Sequence, residues 1–255
     1  MTKLGIVGVG HLADYTVRGL RNGGWTHQIF LSPRGKDVGA RLAQQCNCQV
    51  MADNQAVADA SDIVMLAPRP PQALAALEGL TLRSDQVLLS VVAGLSIAEM
   101  KPVAGKVGAI VRALPVTSAE VNASPNILFP ANAAVENLFA HCGTAIPLSS
   151  EADFDAGGVL ACVYGWYLAL YDQLTERTVA AGLDEPTARR IVTGMAGGAA
   201  AIAAAQSDQS VDVIARKIAS EGSFTKLGLD HLEAEDAFGP WREAYDLVLN
   251  RFTNS

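Results

Sequence analysis

A glycine-rich turn close to the amino terminus is the first stretch of this chain whose residues could do chemistry. The segment KLGIVGVGHLA places a short apolar run before Gly8, Gly10 and Ala13, in the pattern G-x-G-x-x-A. Gly8 would allow a sharp turn, Gly10 would let the backbone approach a pyrophosphate, and Ala13 would let a following helix lie close to the strand. The backbone N–H groups of His11 and Leu12 would face the phosphates. Because it stands between a strand and a helix, the pattern predicts a dinucleotide site rather than a merely tight turn.

The second predicted strand, QIFLS, ends without an acidic residue. An NAD site usually has Asp or Glu there, about 20 residues past the glycines, to bind the ribose 2′-hydroxyl. Ser32, Arg34 and Lys36 occupy this region instead. These groups suit a 2′-phosphate, which can accept a forked pair of hydrogen bonds from an arginine. The sequence therefore predicts NADP(H) as the cofactor, and the alternative is a solvated loop with ordinary basic residues.

The elements that would position these residues follow from hydrophobic periodicity. Short apolar runs alternate with helical stretches over residues 1–150, which predicts a mostly parallel, doubly wound α/β sheet of Rossmann type. The predicted strands are LGIVGV, HQIFLS, CQVMA, DIVMLA, QVLLSV, GAIVRAL, NILFPA and TAIPLS, and the helices lie near 11–22, 36–45, 54–60, 70–78, 96–101 and 133–141. Residues 115–126 read as an irregular loop of the kind that could border an active site.

The strand pattern disappears after residue 150. Helices are predicted over 151–182, 185–206, 210–219 and 231–252. We therefore expect an NADP-binding Rossmann domain over residues 1–150 and an all-α domain over residues 151–255, which would serve dimerisation and substrate binding.

Composition limits the classes of partner. Half of the 255 residues are hydrophobic and 18% are charged, which favours a homodimer or larger homo-oligomer. A net charge of −7 argues against nucleic acid and anionic membranes as partners.

The amino-terminal apolar run is too short for a signal peptide and residues 156–171 are too few for a comfortable membrane span, so a cytoplasmic protein is expected. Cys46 and Cys48 are followed by no second pair with zinc spacing, so reduced thiols and no metal site are expected.

As a set, several segments resemble the pyrroline-5-carboxylate reductases, NADPH-dependent enzymes of the last step of proline synthesis. They are the glycine turn, LSPRG, DNQAVADASDIVMLAPRP, SVVAGLSI, VRALP and the helical AAGLDEPTARRIVTGMAGGAAA. The resemblance implies further cofactor contacts, at Asn54, Ala67, Arg69, Ala93 and Gly94. It also implies dimerisation through the carboxyl-terminal helices.

The resemblance places the substrate at a loop that a partner subunit supplies. Four residues there would bind the substrate: Ser220, Gly222, Ser223 and Thr225. The Thr225 hydroxyl is the candidate catalytic group, because it could hydrogen-bond the imine nitrogen; a local backbone bond is the alternative. Arg112, before the cleft, could bind a carboxylate or pair with an acidic neighbour.

The same region departs from the family pattern. Val116 stands where the family has Asn, and Glu221 adds a negative charge that would repel a carboxylate. The resemblance implies reduction of a cyclic imine, most directly 1-pyrroline-5-carboxylate to proline. The departures leave open another imine or a small carbonyl acid. A third possibility is an NADP-binding protein without turnover, in which Phe224, Tyr164 and Trp166 fill a former substrate pocket.

Overall fold

The structure is a computed structural model that describes residues 2–253. Its contacts divide the chain into two compact units. The first contains the described residues up to Ala161 together with residues 251–253, and the second contains residues 162–250.

An eight-stranded sheet forms the centre of the first unit as described. The strands are β1 (Leu4–Val7), β2 (Ile29–Leu31), β3 (Gln49–Val50), β4 (Ile63–Leu66), β5 (Val87–Ser90), β6 (Ala109–Leu114), β7 (Ser124–Phe129) and β8 (Gly143–Pro147). Their order in the sheet is β3-β2-β1-β4-β5-β6-β7-β8, and every pair is parallel except β6 with β7. The predicted α/β class with a mostly parallel sheet is confirmed.

Helices cover both faces of this sheet. They are α1 (His11–Asn22), α2 (Lys36–Cys46), α3 (Asn54–Asp59), α4 (Pro70–Glu78), α5 (Ile97–Met100) and α6 (Ala133–Ala140). One apolar cluster joins the sheet to α1, α2 and α6, and a second joins it to α3, α4 and α5. Strands β1, β2 and β4 are buried along their whole length, as expected of parallel strands covered on both faces.

The strand order places a crevice at one edge of the sheet. From β1 the chain continues to β2 and β3 on one side, and then returns to β4 on the other side. Ligands of such sheets bind outside the carboxyl ends of the strands at this reversal. The residues after β1 and β4 therefore lie where a ligand is expected.

The segment 115–126 is more ordered than its sequence indicates. It contains a 3-10 helix (Thr117–Val121) and the start of β7. The 3-10 helix packs on α1, where a Cβ added to Gly19 would lie 2.1 Å from the carbonyl oxygen of Ala119. This contact holds the segment against α1.

The remaining helices are α7 (Glu151–Ala180), α8 (Glu185–Ala205), α9 (Val211–Ile218), α10 (Phe224–Ala234) and α11 (Gly239–Thr253). The prediction of a single helix over 231–252 was wrong, because α10 ends at Ala234 and α11 begins at Gly239. Asp236, at a φ of 46°, breaks the helix between them. Among residues 2–253, every helix falls short of the length and apolarity needed to cross a membrane.

Candidate functional site

The glycine turn connects β1 to α1 and lies against the segment that follows β4. Gly8 has a φ of +97°, and a Cβ there would lie 2.5 Å from the backbone nitrogen of Pro68. Its N–H donates to Oγ of Ser32, at 3.0 Å. Only glycine fits this position, because any side chain would collide with the backbone after β4.

Gly10 provides the opening for a ligand. It is the N-cap of α1 and offers no side chain to cap the helix. A Cβ added there would meet no atom within 4 Å. The N–H groups at the start of a helix lack intrahelical partners, so His11 and Leu12 begin a helix whose end can bind an anion. The turn therefore fits a pyrophosphate.

A groove of about 190 Å³ opens beside this turn, and we call it the glycine-turn groove. Six predicted cofactor residues line it: Gly8, Gly10, Arg34, Asn54, Ala67 and Arg69. Ser32 is 1% exposed and lies behind the turn, where its hydroxyl accepts the Gly8 hydrogen bond. None of the described lining residues is acidic.

Two guanidinium groups give the glycine-turn groove its charge. Arg34 and Arg69 are both exposed, and the guanidinium group of neither forms a hydrogen bond or ion pair with another described residue. The loop that carries Arg34 lies against the glycine turn, because a Cβ on Gly35 would be 2.0 Å from the carbonyl oxygen of Val9. Two free cations and no carboxylate suit a phosphorylated ligand.

A second groove, of about 260 Å³, is lined by two more of the predicted cofactor residues, Ala93 and Gly94. We call it the C-terminal groove, and its lining residues are Pro70, Ala93, Gly94, Arg251 and Phe252. Gly94, at a φ of +74°, forms the turn after β5. Arg251 and Phe252 were not predicted as site residues, because no local pattern near the end of the chain marks them.

Arg112 is paired with acidic neighbours, which decides between its two proposed roles. Its side chain is 2% exposed, and its guanidinium bonds Glu151 at 2.7 Å and Asp155 at 2.9 Å. The ring of Phe154 lies 4.4 Å from Cζ. Oε1 of Glu151 also accepts the N–H of Ile97 at 2.9 Å. We call these residues the Arg112 clamp; it ties β6 and the start of α7 to the segment just after Gly94.

The predicted substrate residues belong to the second unit, whereas the predicted cofactor residues belong to the first. Ser220, Gly222 and Ser223 form the turn between α9 and α10. Oγ of Ser223 accepts the N–H of Lys226 at 3.1 Å and so caps α10. Thr225 is exposed in the first turn of α10 rather than in a loop.

Of the three bulky residues that were suggested to fill a former substrate pocket, Phe224 is not packed against its own chain. The side chain of Phe224 is 93% exposed. The ring of Trp166 packs edge-on against Trp241, with centroids 6.1 Å apart. Phe224 is therefore available to contact another molecule.

The four cysteines are free thiols. Burial raises the pKa of Cys48 to about 11 and that of Cys142 to about 12. Among residues 2–253, no group of three or more His, Cys, Asp or Glu side chains is arranged to hold a metal ion.

Two family models match the chain. Residues 3–94 match the family described as NADP oxidoreductase, coenzyme F420-dependent. Residues 151–253 match the family described as pyrroline-5-carboxylate reductase dimerisation.

Curated relatives and solved structures agree with these matches. Pyrroline-5-carboxylate reductase 2 of Bacillus subtilis is 27% identical over 91% of this chain and 87% of its own length. The Pseudomonas aeruginosa pyrroline-5-carboxylate reductase is 28% identical, over 91% and 89%. The Streptococcus pyogenes 1-pyrroline-5-carboxylate reductase superposes with a TM-score of 0.86 at 25% identity, covering 100% of this chain and 99% of its own. The Plasmodium falciparum pyrroline carboxylate reductase with NADP bound, at 22% identity, shares the fold, with a TM-score of 0.84 over 98% and 97%.

Proposed function

We propose that this chain is a member of the pyrroline-5-carboxylate reductase family and that it reduces 1-pyrroline-5-carboxylate to proline. It is an NADP-dependent oxidoreductase that acts on C=N bonds. The observation that carries the proposal is the glycine-turn groove, where a helix start and two free guanidinium groups adjoin a turn that only glycine fits.

Residues of the first unit hold the cofactor. The turn at Gly8 and Gly10 takes the pyrophosphate, and Arg34 takes the 2′-phosphate. Asn54 and Arg69 bind the adenosine side, and the turn at Ala93 and Gly94 adjoins the nicotinamide side. NADPH, when bound, supplies the hydride.

Residues of the second unit bind the imine. Ser220, Gly222 and Ser223 present the turn that takes the substrate carboxylate, supplied by a partner subunit of a homodimer or larger assembly. The ring nitrogen arrives protonated, so the hydride adds to carbon and the electron pair of the C=N bond moves to nitrogen. The Thr225 hydroxyl hydrogen-bonds that nitrogen and orients it.

Turnover tests this proposal directly. We expect purified protein to oxidise NADPH when it is given 1-pyrroline-5-carboxylate at neutral pH. Thr225→Val removes the hydroxyl and keeps the shape, so it should lower the rate by up to the order of 10²-fold. Thr225→Ser is the matched control and should retain most of the rate. Tight NADPH binding with no oxidation of a panel of cyclic imines and keto acids would contradict an enzyme and favour an NADP-binding protein without turnover.

A different imine, or a small carbonyl acid, is the second candidate substrate. Glu221 lies within the turn that would take a carboxylate, and Phe224 presents an apolar ring that is 93% exposed. Both residues favour a substrate with more apolar surface and less negative charge. If this is correct, an uncharged cyclic imine in the same panel will give a higher kcat/KM than 1-pyrroline-5-carboxylate.

A further inference from the structure

The main chain that leads into the turn at Ala93 and Gly94 is fixed by the sheet. The N–H of Val91 donates to the carbonyl oxygen of Leu66 at 3.1 Å, which holds the end of β5 against β4. Ala93 is exposed and Gly94 is half-buried, so the turn itself faces outward. Contacts made by the residues after the turn therefore help to determine where it lies.

The chain after the turn is held by an apolar contact and by a hydrogen bond. The side chain of Leu95 is buried in the apolar cluster that joins the sheet to α3, α4 and α5. Two residues later, the N–H of Ile97 donates to Oε1 of Glu151 at 2.9 Å. An apolar contact has no preferred direction, whereas a hydrogen bond weakens steeply as its angle bends. The bond to Glu151 is therefore the contact that orients the main chain.

This hydrogen bond satisfies a group that its own helix leaves without a partner. Ile97 is the first residue of α5, and the N–H groups at the start of a helix have no intrahelical acceptor. The side chain of Ser96, which caps α5, accepts the N–H of Glu99 instead. Glu151 thus ties α5, and the turn just before it, to the start of α7.

Arg112 fixes the carboxylate of Glu151. The oxygen that accepts the Ile97 N–H also accepts a guanidinium hydrogen bond from Arg112, at 2.7 Å. Arg112 belongs to the middle of the sheet, opposite Ser90 of β5 and Phe129 of β7, and it is 2% exposed. A group held by a buried partner on a rigid element keeps one position, which is what a precise site requires of its supporting residues.

We infer that Glu151 is a positioning residue of the reductase, which holds the turn at Ala93 and Gly94 through the N–H of Ile97. The inference rests on the proposed function, in which this turn adjoins the reacting side of the cofactor. A displacement of about 1 Å in a reacting group can lower a rate on the order of 10²-fold. Loss of the bond to Ile97 should therefore slow the reaction more than it weakens cofactor binding, because the glycine-turn groove still holds the rest of the cofactor.

Two substitutions of Glu151 separate position from charge. Glu151→Gln loses the charge, but its amide oxygen can accept both hydrogen bonds that Oε1 accepts in the wild type. Glu151→Asp keeps the charge beside Arg112, but its side chain is shorter by one carbon–carbon bond of about 1.5 Å. The 2.9 Å bond to Ile97 is then stretched beyond hydrogen-bonding distance.

Single-turnover oxidation of bound NADPH, with saturating 1-pyrroline-5-carboxylate, measures the effect on the reaction. We expect the rate to fall on the order of 10-fold in Glu151→Asp and to stay within about twofold of the wild type in Glu151→Gln. If Glu151 served only as an ion-pair partner of Arg112, the order would be the reverse, because Asp keeps the ion pair and Gln does not.

Two further measurements do not depend on turnover. Amide hydrogen exchange in the protein without cofactor should be faster at Ile97 in Glu151→Asp than in the wild type or in Glu151→Gln, because only the Asp variant frees this N–H. Titration with NADPH should give nearly the same Kd for the wild type and both variants.

Asp155→Asn is the matched control. Asp155 bonds the same guanidinium at 2.9 Å, but the N–H of Ile97 donates to Glu151. The control should lower the midpoint of urea unfolding and keep most of the single-turnover rate. A slow Asp155→Asn would attribute the effect to the stability of the Arg112 clamp and would overturn the inference.

The inference would also be overturned by equal rates in the wild type and both Glu151 variants, by a faster Glu151→Asp than Glu151→Gln, or by unchanged exchange at Ile97 in Glu151→Asp. A wild-type protein that binds NADPH but reduces no imine would instead contradict the proposed function, and the exchange measurement would still decide whether Glu151 anchors the segment after the turn.

Discussion

Arg34 lies exposed at the glycine-turn groove, at the place where a carboxylate would favour NAD. Replacing it with Ala should weaken NADPH binding by roughly 1.5–3 kcal/mol, the range for hydrogen bonds to charged groups. NADH lacks the 2′-phosphate, so its affinity should change little. Titration of both cofactors into the wild type and the variant checks this.

The control for Arg34 is Lys36→Ala. Lys36 is exposed at the start of α2, two residues past Arg34, but does not line the glycine-turn groove, so its loss should weaken NADPH binding less. Equal affinities of the wild type for NADPH and NADH would contradict the predicted preference.

The buried cysteines predict how stability depends on alkaline pH. Burial raises the pKa of Cys142 from 9.0 to about 12, so the folded state keeps a proton that the unfolded chain releases. The stability due to this group is therefore fully present below pH 9.0 and is lost as the pH rises toward 12.

Urea unfolding at a series of pH values above neutrality measures this loss. Because the thiolate is the reactive form, Cys48 and Cys142 should also resist thiol reagents near pH 8 until the protein is unfolded. Rapid labelling of either cysteine in the native protein would contradict the prediction.

At the scale of the elements, the Arg112 clamp fixes the start of α7 to the sheet. Arg112 is 2% exposed, and Glu151→Ala would leave its guanidinium with Asp155 as the remaining partner of the two. Removing one partner of a buried pair destabilises by about 3–5 kcal/mol, and the lower end is expected because Asp155 remains. The midpoint of urea unfolding measures this change.

Two further variants test whether a loss of stability in Glu151→Ala comes from the broken ion pair with Arg112. Glu99→Ala removes a carboxylate of the neighbouring helix α5, whose capping bond to Ser96 is exposed, and should cost less than Glu151→Ala. Glu151→Gln keeps an acceptor for Ile97 and loses the charge. If Glu151→Ala unfolds at the same urea concentration as the wild type, the Arg112 clamp contributes little to the free energy of unfolding.

At the scale of the whole molecule, the second unit exposes much apolar surface. Large apolar side chains there are between two-fifths and three-quarters exposed: Leu168, Leu174, Ile191, Met195 and Leu227. An isolated soluble protein rarely exposes this much apolar surface. The match to a dimerisation family covers the same helices. We expect a homodimer or larger assembly built through them.

Light scattering at micromolar concentration tests the assembly. Met195 is 73% exposed in the single chain, so Met195→Glu should shift the mass toward the monomer if α8 lies in the interface. Ser207→Glu adds the same charge in the turn just after α8 and should leave the mass unchanged. A monomeric wild type would contradict both the interface and a substrate site supplied by a partner.

Much of the fold and the cofactor site follows from local sequence. Each predicted strand is found in the sheet, because a short apolar run bounded by turn residues identifies a strand without any information from distant parts of the chain. Gly8, Gly10 and Arg34 lie at one groove because the residues after parallel strands share an edge of the sheet. The break between α10 and α11 was missed even though Gly239 and Pro240 signal it, because Glu, Ala and Asp before them continue a helical composition.

The tertiary structure alone decided which distant residues meet. The sequence left Arg112 two possible roles, and the packing of α7 against β6 decided between them by pairing it with Glu151 and Asp155. The C-terminal groove brings residues 70, 93 and 251 together, and no pattern near any of them indicates the others. A local pattern fixes the conformation of a short segment, whereas contacts between segments depend on how their buried surfaces fit, and that fit is a property of the folded chain.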